Sequence, residues 1–248
     1  MGKIYEWKNG AVYWNKTFNP WIGCVPCSPA CENCYARTLT ERFKGSFEPH
    51  RTTKATPPQK GLVFCGNATD LFGEFLDKKQ IHEWYGNLVN AAERSKYPVK
   101  YLVLTKRARR MNELRKEFDI RDEEDIYWGI TAENQQKYDE RMASFAGAFR
   151  NSWLSCEPLL GPIDLRLDHY KKRNWLPSWV VIGCESGSNR RPCDIGWIYD
   201  IVVQCQENGV PYFIKQLDIG GKCEKDICKF PKELQTRQMP FDPAPLGL

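Results

Sequence analysis

The sequence has no apolar run approaching the roughly eighteen residues that a membrane-spanning helix needs. Its opening residues, MGKIYEWKNG, carry charges where a secretory signal requires an apolar stretch. These absences exclude a helical membrane protein and lead us to expect a soluble, cytoplasmic one. Histidine is scarce. His50, His82 and His169 stand apart without HxxxH or HxxE spacing, which argues against a histidine-based metalloenzyme. No linker or low-complexity tract divides the chain, so a single domain over residues 1–248 is expected, with a short C-terminal extension from about residue 218. Charge of one sign is not in large excess either. A formal net charge of +5 permits contact with phosphates or nucleic acid without requiring it.

What the sequence does hold is cysteine. There are 11, and without an export signal they would sit in a reducing compartment, where thiols are kept free for metals or chemistry. Four fall in one short run, Cys24-Val-Pro-Cys27-Ser-Pro-Ala-Cys31-Glu-Asn-Cys34. Zinc usually takes two CxxC pairs separated by roughly a dozen or more residues, so that two turns approach one ion from opposite sides. Here only Ser28, Pro29 and Ala30 separate the pairs. An iron–sulfur cubane is served by such compact runs, because one loop can wrap it and reach different irons. Pro26 and Pro29 stiffen the loop and lower the entropy lost when its thiols converge. Cys65, Cys156, Cys184 and Cys205 lie in or beside apolar patterns and read as small buried hydrophobes. Cys223 and Cys228 lie in a polar C-terminal segment, too far apart for a CxxC pair.

Short β-rich runs alternate with longer polar stretches, several of helical period. The runs are Leu62 to Cys65, Lys100 to Leu104, Ile126 to Ile130, Ser152 to Ser155, Trp179 to Ile182 and Pro211 to Ile214, with one more expected near Thr17 to Trp21. Lys78 to Ser95 and Ile195 to Glu207 place apolar residues at helical spacing, and Gly209-Val210-Pro211 is a helix stop. The pattern predicts an α/β fold with six or seven parallel strands, an open or partial (β/α) barrel. Pro57-Pro58 and Pro240 to Leu248 read as surface chain.

Each apolar run gives way to polar residues: Asn67 and Asp70; Thr105, Lys106 and Arg107; Thr131, Glu133 and Asn134; Glu157; Glu185; Lys215 and Gln216. Loops are polar in any protein, but recurrence at every strand end predicts one ligand-binding mouth, since parallel strands open on the same face. Lys106, Arg107, Arg109 and Arg110, with Arg190 and Arg191, suit recognition of phosphate or carboxylate, and Trp14, Trp21 and Tyr35 suit stacking on a base. Residues 109–116 also make an ordinary charged amphipathic helix.

Cys27-Ser-Pro-Ala-Cys31-Glu-Asn-Cys34 has the CxxxCxxC spacing of radical S-adenosylmethionine enzymes. The whole chain more closely resembles an uncharacterised radical-SAM-like family found in bacteriophages and bacteria. The resemblance runs through Asn19 to Cys24, Cys34-Tyr35-Ala36, Asp70-Leu71-Phe72 and Leu104 to Arg107, then Gly129 to Gln135, Glu157 to Pro162, Gly183 to Gly187 and Phe213 to Gln216. It implies a radical-SAM-type partial barrel holding a four-iron four-sulfur cluster on three cysteines, with S-adenosylmethionine on the open iron. It also implies an external reductant such as flavodoxin or ferredoxin, and a cytoplasmic setting, that of the host for phage members. Asn67 and Asp70 fall where the methionine amino group is held, although the common Gly-Gly-Glu is missing. Tyr35, Thr131, Glu133, Asn134 and Glu157 are expected around the cofactor, and Lys106, Arg107, Glu185, Lys215 and Gln216 around the substrate. Phage members suggest a nucleotide or DNA substrate, with rearrangement (isomerase chemistry) or other modification of a hypermodified pyrimidine, an association rather than a mechanism.

Cys31 and Cys34 belong to either ligand set. The third ligand is Cys24 if the Trp21-Ile22-Gly23 approach fixes it at the strand end, as we expect, and Cys27 if the common spacing holds. Two other classes compete with an enzyme: an iron–sulfur electron carrier using all four thiols, and a zinc-stabilised nucleic-acid-binding module.

Overall fold

The computed structural model describes residues 5–6, 10–43, 45–53, 56–120 and 123–248. Seven parallel strands stand side by side in chain order: β1 (Lys16–Phe18), β2 (Gly61–Cys65), β3 (Val99–Thr105), β4 (Ile126–Thr131), β5 (Ser152–Cys156), β6 (Trp179–Gly183) and β7 (Tyr212–Ile219). A short β8 (Lys222–Glu224) folds back antiparallel on β7 and completes the eight-stranded sheet, which curls into a half barrel. Parallel neighbours need a crossover, and helices supply it. After α1 (Tyr35–Arg42) come α2 (Lys78–Glu93), α3 (Ala108–Glu117), α4 (Gln135–Phe145), α5 (Leu167–Lys171) and α6 (Ile195–Asn208), one between each pair of strands from β2 to β7.

Period-two alternation sends successive side chains to opposite faces of the sheet. Val63, Cys65, Val103, Trp128, Ile130, Val180 and Ile182 pack against helix residues such as Trp84, Leu88, Met142 and Ile201. Leu62, Phe64, Leu102, Tyr127, Trp153, Trp179, Val181 and Phe213 form the other core, inside the curl, with Tyr13 among them. Both faces are buried, which is why the strands read as unbroken apolar runs. The helix boundaries follow local chemistry. An Asp77–Gln80 capping box starts α2, and Gly209, at φ +68°, ends α6 as its position predicts.

The predicted strands all form, with ends moved by a residue or more, but the first divides. β1 stops at Phe18, and Trp21–Ile22 pairs instead with His50–Arg51 in a separate two-stranded ribbon. Two segments expected at the surface are partly inside. Pro57 is buried, and the Pro58 carbonyl accepts from the Tyr101 hydroxyl at 2.6 Å. In the C-terminal segment Phe241 and Leu246 are buried with Met239 against the aromatic interior, closing the end at which the strands begin. Trp179 Nε1 donates to the Gln238 carbonyl at 2.7 Å and Asn15 to that of Leu246 at 3.3 Å. An apolar interior needs a cover at that end, and a proline-containing tail can supply one without being regular structure.

The interior is filled tightly at Gly129, where a Cβ would lie 2.3 Å from the Trp153 indole nitrogen. Gly129→Ala should therefore lower stability by about 1–3 kcal/mol through overpacking. Gly86→Ala, in α2 with nothing within 4 Å of the added carbon, should raise it by about 0.5–1 kcal/mol. Urea unfolding midpoints of the two variants would show the opposite signs.

Candidate functional site

A cleft of about 190 Å³ opens at the carboxyl ends of the strands. All four clustered thiols line it, with Tyr35, Asn67, Asp70, Lys106, Arg107, Thr131, Glu157, Glu185, Lys215 and Gln216. Glu133 and Asn134 are not part of the lining. The Asn134 side chain caps α4 by accepting from the Lys137 amide at 2.9 Å, and Glu133 is fully buried against Arg141. Trp14 lines the cleft, whereas Trp21 packs in the helix-side core.

The cysteine loop has only one short turn, Pro29–Cys31, of its own. Side chains at three strand ends hold the rest. Beyond β3, Arg107 donates to the Val25 carbonyl at 2.9 Å and to Asp70 at 3.0 Å, is also paired with Glu74, and brings Nη1 to 3.9 Å from the Cys24 sulfur. Beyond β4, Glu133 reaches the Ser28 hydroxyl, and Arg141 ties that carboxylate to the carbonyls of Lys106 (3.0 Å) and Thr131 (2.7 Å). Beyond β6, Glu185 accepts from Asn33 at 2.9 Å and pairs with Arg191, whose guanidinium also bonds the Pro29 carbonyl (3.0 Å) and Glu32 (2.9 Å). At the start of the loop Gly23 has φ +93°, and a Cβ there would meet the Phe47 and Glu48 carbonyls at 2.5 Å. Only glycine fits that turn.

Within the loop the Cys27 thiol hydrogen-bonds to Cys31. That bond is the main reason Cys31 falls to about 4, while Cys27 is pushed up. Burial is the main reason Cys24 rises to about 11. Among the described residues, no three His, Cys, Asp or Glu side chains converge on one point as a single-ion site requires.

Several expected binders are already engaged. The Asp70 carboxylate accepts from Thr105 Oγ1 (2.7 Å), Phe72 N (3.0 Å), Lys106 N (3.1 Å) and Arg107. Arg110 bonds the carbonyls of Phe72, Gly73 and Leu76, Arg109 pairs with Glu113 on the surface, and Arg190 pairs with Asp218. Lys106, Lys215 and Arg37 are the other cations of the lining, and Arg37 faces Glu41 at 3.7 Å. Lys215 Nζ stands 3.1 Å from Glu157 Oε1 and lies over the rings of Tyr13 (5.8 Å) and Trp14 (5.6 Å). It is not aligned to hydrogen-bond, so Oε1 is a buried acceptor without a hydrogen bond. Tyr13 donates to Oε2 at 3.4 Å, and burial, followed by that carboxylate, pushes its hydroxyl well above the usual tyrosine range.

Sequence reading assigned no role to Tyr13 or Arg141, which belong to no motif, or to Asn33, a spacer residue of the cysteine motif. It also passed over Cys193, which is buried, and treated Cys184 and Cys223 separately, although their thiols meet, one from the end of β6 and the other from β8.

The fold and site define a curled α/β half-barrel protein with a thiol loop at its carboxyl-end cleft. Residues 9–240 match the DUF5131 family, described as proteins of unknown function, and the chain belongs to that family. No curated protein and no solved structure matches it. Among the described residues no helix is long and apolar enough to cross a membrane.

Removing one partner of a buried ion pair leaves an uncompensated charge, which costs about 3–5 kcal/mol. Arg107→Ala should lose stability of that order, read from the urea midpoint, because Asp70 and Arg107 are both nearly inaccessible. Burial alone would raise the Glu133 carboxyl, but Arg141 outweighs it and holds it below the usual carboxylate range. The stability from this shift is therefore complete above about pH 4.5 and disappears as pH falls through the lowered folded value. Glu133→Gln should make the midpoint less dependent on pH below about 4.5.

Proposed function

We propose that the protein is a radical S-adenosylmethionine enzyme whose cluster is held by the Cys24–Cys34 loop. The observation that carries this reading is the opening of all four thiols of one loop on a cleft at the carboxyl ends of a curled, mostly parallel sheet. The donor set fits the group: thiolates suit iron, and a cubane offers each thiolate its own iron, so convergence on a single point is not required. When bound, the reduced cluster and S-adenosylmethionine supply a 5′-deoxyadenosyl radical, which abstracts a hydrogen atom.

The chain's own part is to hold and orient. Arg107, Arg191, Asn33 and Ser28 fix the loop backbone. The Cys27–Cys31 contact supports Cys27, Cys31 and Cys34 as the ligand set, with Cys24 held aside by Arg107. This departs from the expectation that Cys24 completes it. Because Asp70 is saturated, an amino group would be met by the backbone at Asn67, whose carbonyl accepts from Tyr35 at 2.7 Å and keeps a second lone pair.

For the substrate, Lys215, ion-paired with the buried Glu157 Oε1 at 3.1 Å, stands beside Tyr13 and Trp14 on the cleft wall. A planar, hydrogen-bonding group such as a nucleobase matches that wall. A modified pyrimidine nucleotide, free or in DNA, is the substrate class we favour, with Lys106 and Lys215 facing its anionic groups. The reaction class we favour is rearrangement or another radical modification of that substrate.

Anaerobic reconstitution should give about four irons per chain, and dithionite should then drive formation of 5′-deoxyadenosine. Cys31→Ala should abolish both. Cys27→Ala should also do so, whereas Cys24→Ala should retain iron; the reverse result restores Cys24 as the ligand. A stable cluster that never yields 5′-deoxyadenosine would support an electron carrier, and zinc in place of iron a nucleic-acid-binding module.

A further inference from the structure

Cys184 and Cys223 take no part in the chemistry proposed above, yet the fold brings them together. Cys184 follows β6, where its amide donates to the Gln216 carbonyl of β7 at 3.2 Å and its own carbonyl accepts from the Gln216 side chain at 2.6 Å. Cys223 lies on β8, opposite Asp218 of β7. Gln216 and Asp218 are two residues apart on the one strand between them, and there the two thiols meet. The pair is asymmetric. Cys184 is buried in the cleft wall, whereas Cys223 is half-buried on the edge strand of the sheet.

Contact with Cys184 is the main reason the Cys223 thiol falls to about 7; burial opposes the fall, and Lys225, Arg190 and Lys215 add to it. The same contact, followed by burial, pushes Cys184 up. A thiolate rather than a thiol attacks a disulfide, so Cys223 is suited to attack first and Cys184 to follow. Cys193 stands near Cys184, but its burial raises it to about 12, and its amide is tied to Asp218 at 3.2 Å. Metal binding is the other use of grouped thiols. It is poorly served here, because Asp218 is already paired with Arg190 at 2.7 Å, and among the described residues no three His, Cys, Asp or Glu side chains converge on one ion.

We propose that Cys223 and Cys184 form a thiol–disulfide exchange site that takes low-molecular-weight disulfides and closes into a protein disulfide. The Cys223 thiolate, its proton given to water, attacks one sulfur of the small disulfide, forming a mixed disulfide and releasing one small thiolate. Cys184 passes its proton to that thiolate, attacks the Cys223 sulfur and expels the second small thiolate, which takes up a proton from water. The protein pair is thereby oxidised by two electrons, and the small disulfide is reduced to two thiols. The new bond joins edge strand β8 to the end of β6, next to Glu185, which holds Asn33 of the cysteine loop at 2.9 Å. The site stands on the fold alone, whether or not that loop carries a cluster.

Glutathione disulfide is the probe, added to the reduced chain without oxygen and followed by alkylation of the remaining thiols and mass mapping of tryptic peptides. Arg190, Lys222 and Lys225 place Cys184, Cys193, Cys223 and Cys228 on separate peptides. Cys184 should be found linked to Cys223, and dithiothreitol should free both. Cys184→Ser should trap glutathione on Cys223, and Cys223→Ser should leave Cys184 with neither link nor glutathione. Cys193→Ser should match the parent. Before oxidation, iodoacetamide at pH 7 should label Cys223 at least about tenfold faster than Cys193. A parent chain that keeps both thiols free, or that carries glutathione on Cys223 without closing the link, overturns the proposal. So does a link from Cys223 to Cys193 or to Cys228. Where a serine variant fails to fold, the parent's own map still decides, because it locates each link.

Discussion

Three buried or half-buried arginine–carboxylate arrangements hold the cysteine loop, and the site depends on them. An eleven-residue loop with little regular structure of its own cannot place four thiols. Its backbone must be bonded from outside. Arg107 with Asp70, Arg141 with Glu133, and Arg191 with Glu185 do this from three different strand ends. Burying such charges carries a desolvation cost, offset only where geometry and additional hydrogen bonds are good. Here the guanidinium groups also donate to backbone carbonyls, at Val25, at Lys106 and Thr131, and at Pro29. The arrangement makes the strand ends and the loop one rigid unit, as a site requires.

The same constraint decides where space remains. The aromatic interior, with Tyr13 and Trp179 at 5.1 Å and Trp153 and Trp179 at 5.7 Å, fills the curl from the end plugged by Phe241 and Leu246. Tyr13 tops that stack and donates to Glu157, so the apolar core gives way to charge at one residue. The cleft is what lies above it. Glu157, Lys215 and Trp14 therefore form a wall with a rigid floor, and the thiols come from a loop lashed to strand ends that line the same cleft.

The sequence carried the architecture because burial on both faces leaves each parallel strand a short apolar run, and chain order is also spatial order in this sheet. The mouth was legible for the same reason: strand ends share one face, and most polar residues chosen there line the cleft. Partnerships were not legible. Arg107 and Arg191 look like free anion binders until Asp70 and Glu185 are placed beside them, and Arg191 also meets Glu32, which is 159 residues away in the chain. Glu133 and Asn134 stand at a strand end like the others, but a buried arginine and a helix cap claim them. Pro240 to Leu248 was misread because proline content signals irregular backbone, which is not the same as exposure.

The thiols show how pairing decides chemistry beyond spacing. Gly23 fixes the backbone before Cys24 as its position predicts, yet the Cys24 side chain meets a guanidinium, and Cys27 is the thiol that meets Cys31. A thiol that donates to its neighbour stabilises the neighbour's thiolate, and a thiolate is the form that ligates metal. Cys27 and Cys31 are thus adjacent in the folded chain, which on the reading proposed above lowers the ordering cost of wrapping a cluster. Cys24 sits against Arg107 and Asp70, the pair that anchors β3 to the loop, and is suited to supporting that anchor. A glycine turn therefore identifies where a loop begins, whereas the partners of its thiols follow from which side chains the surrounding charges leave free to meet.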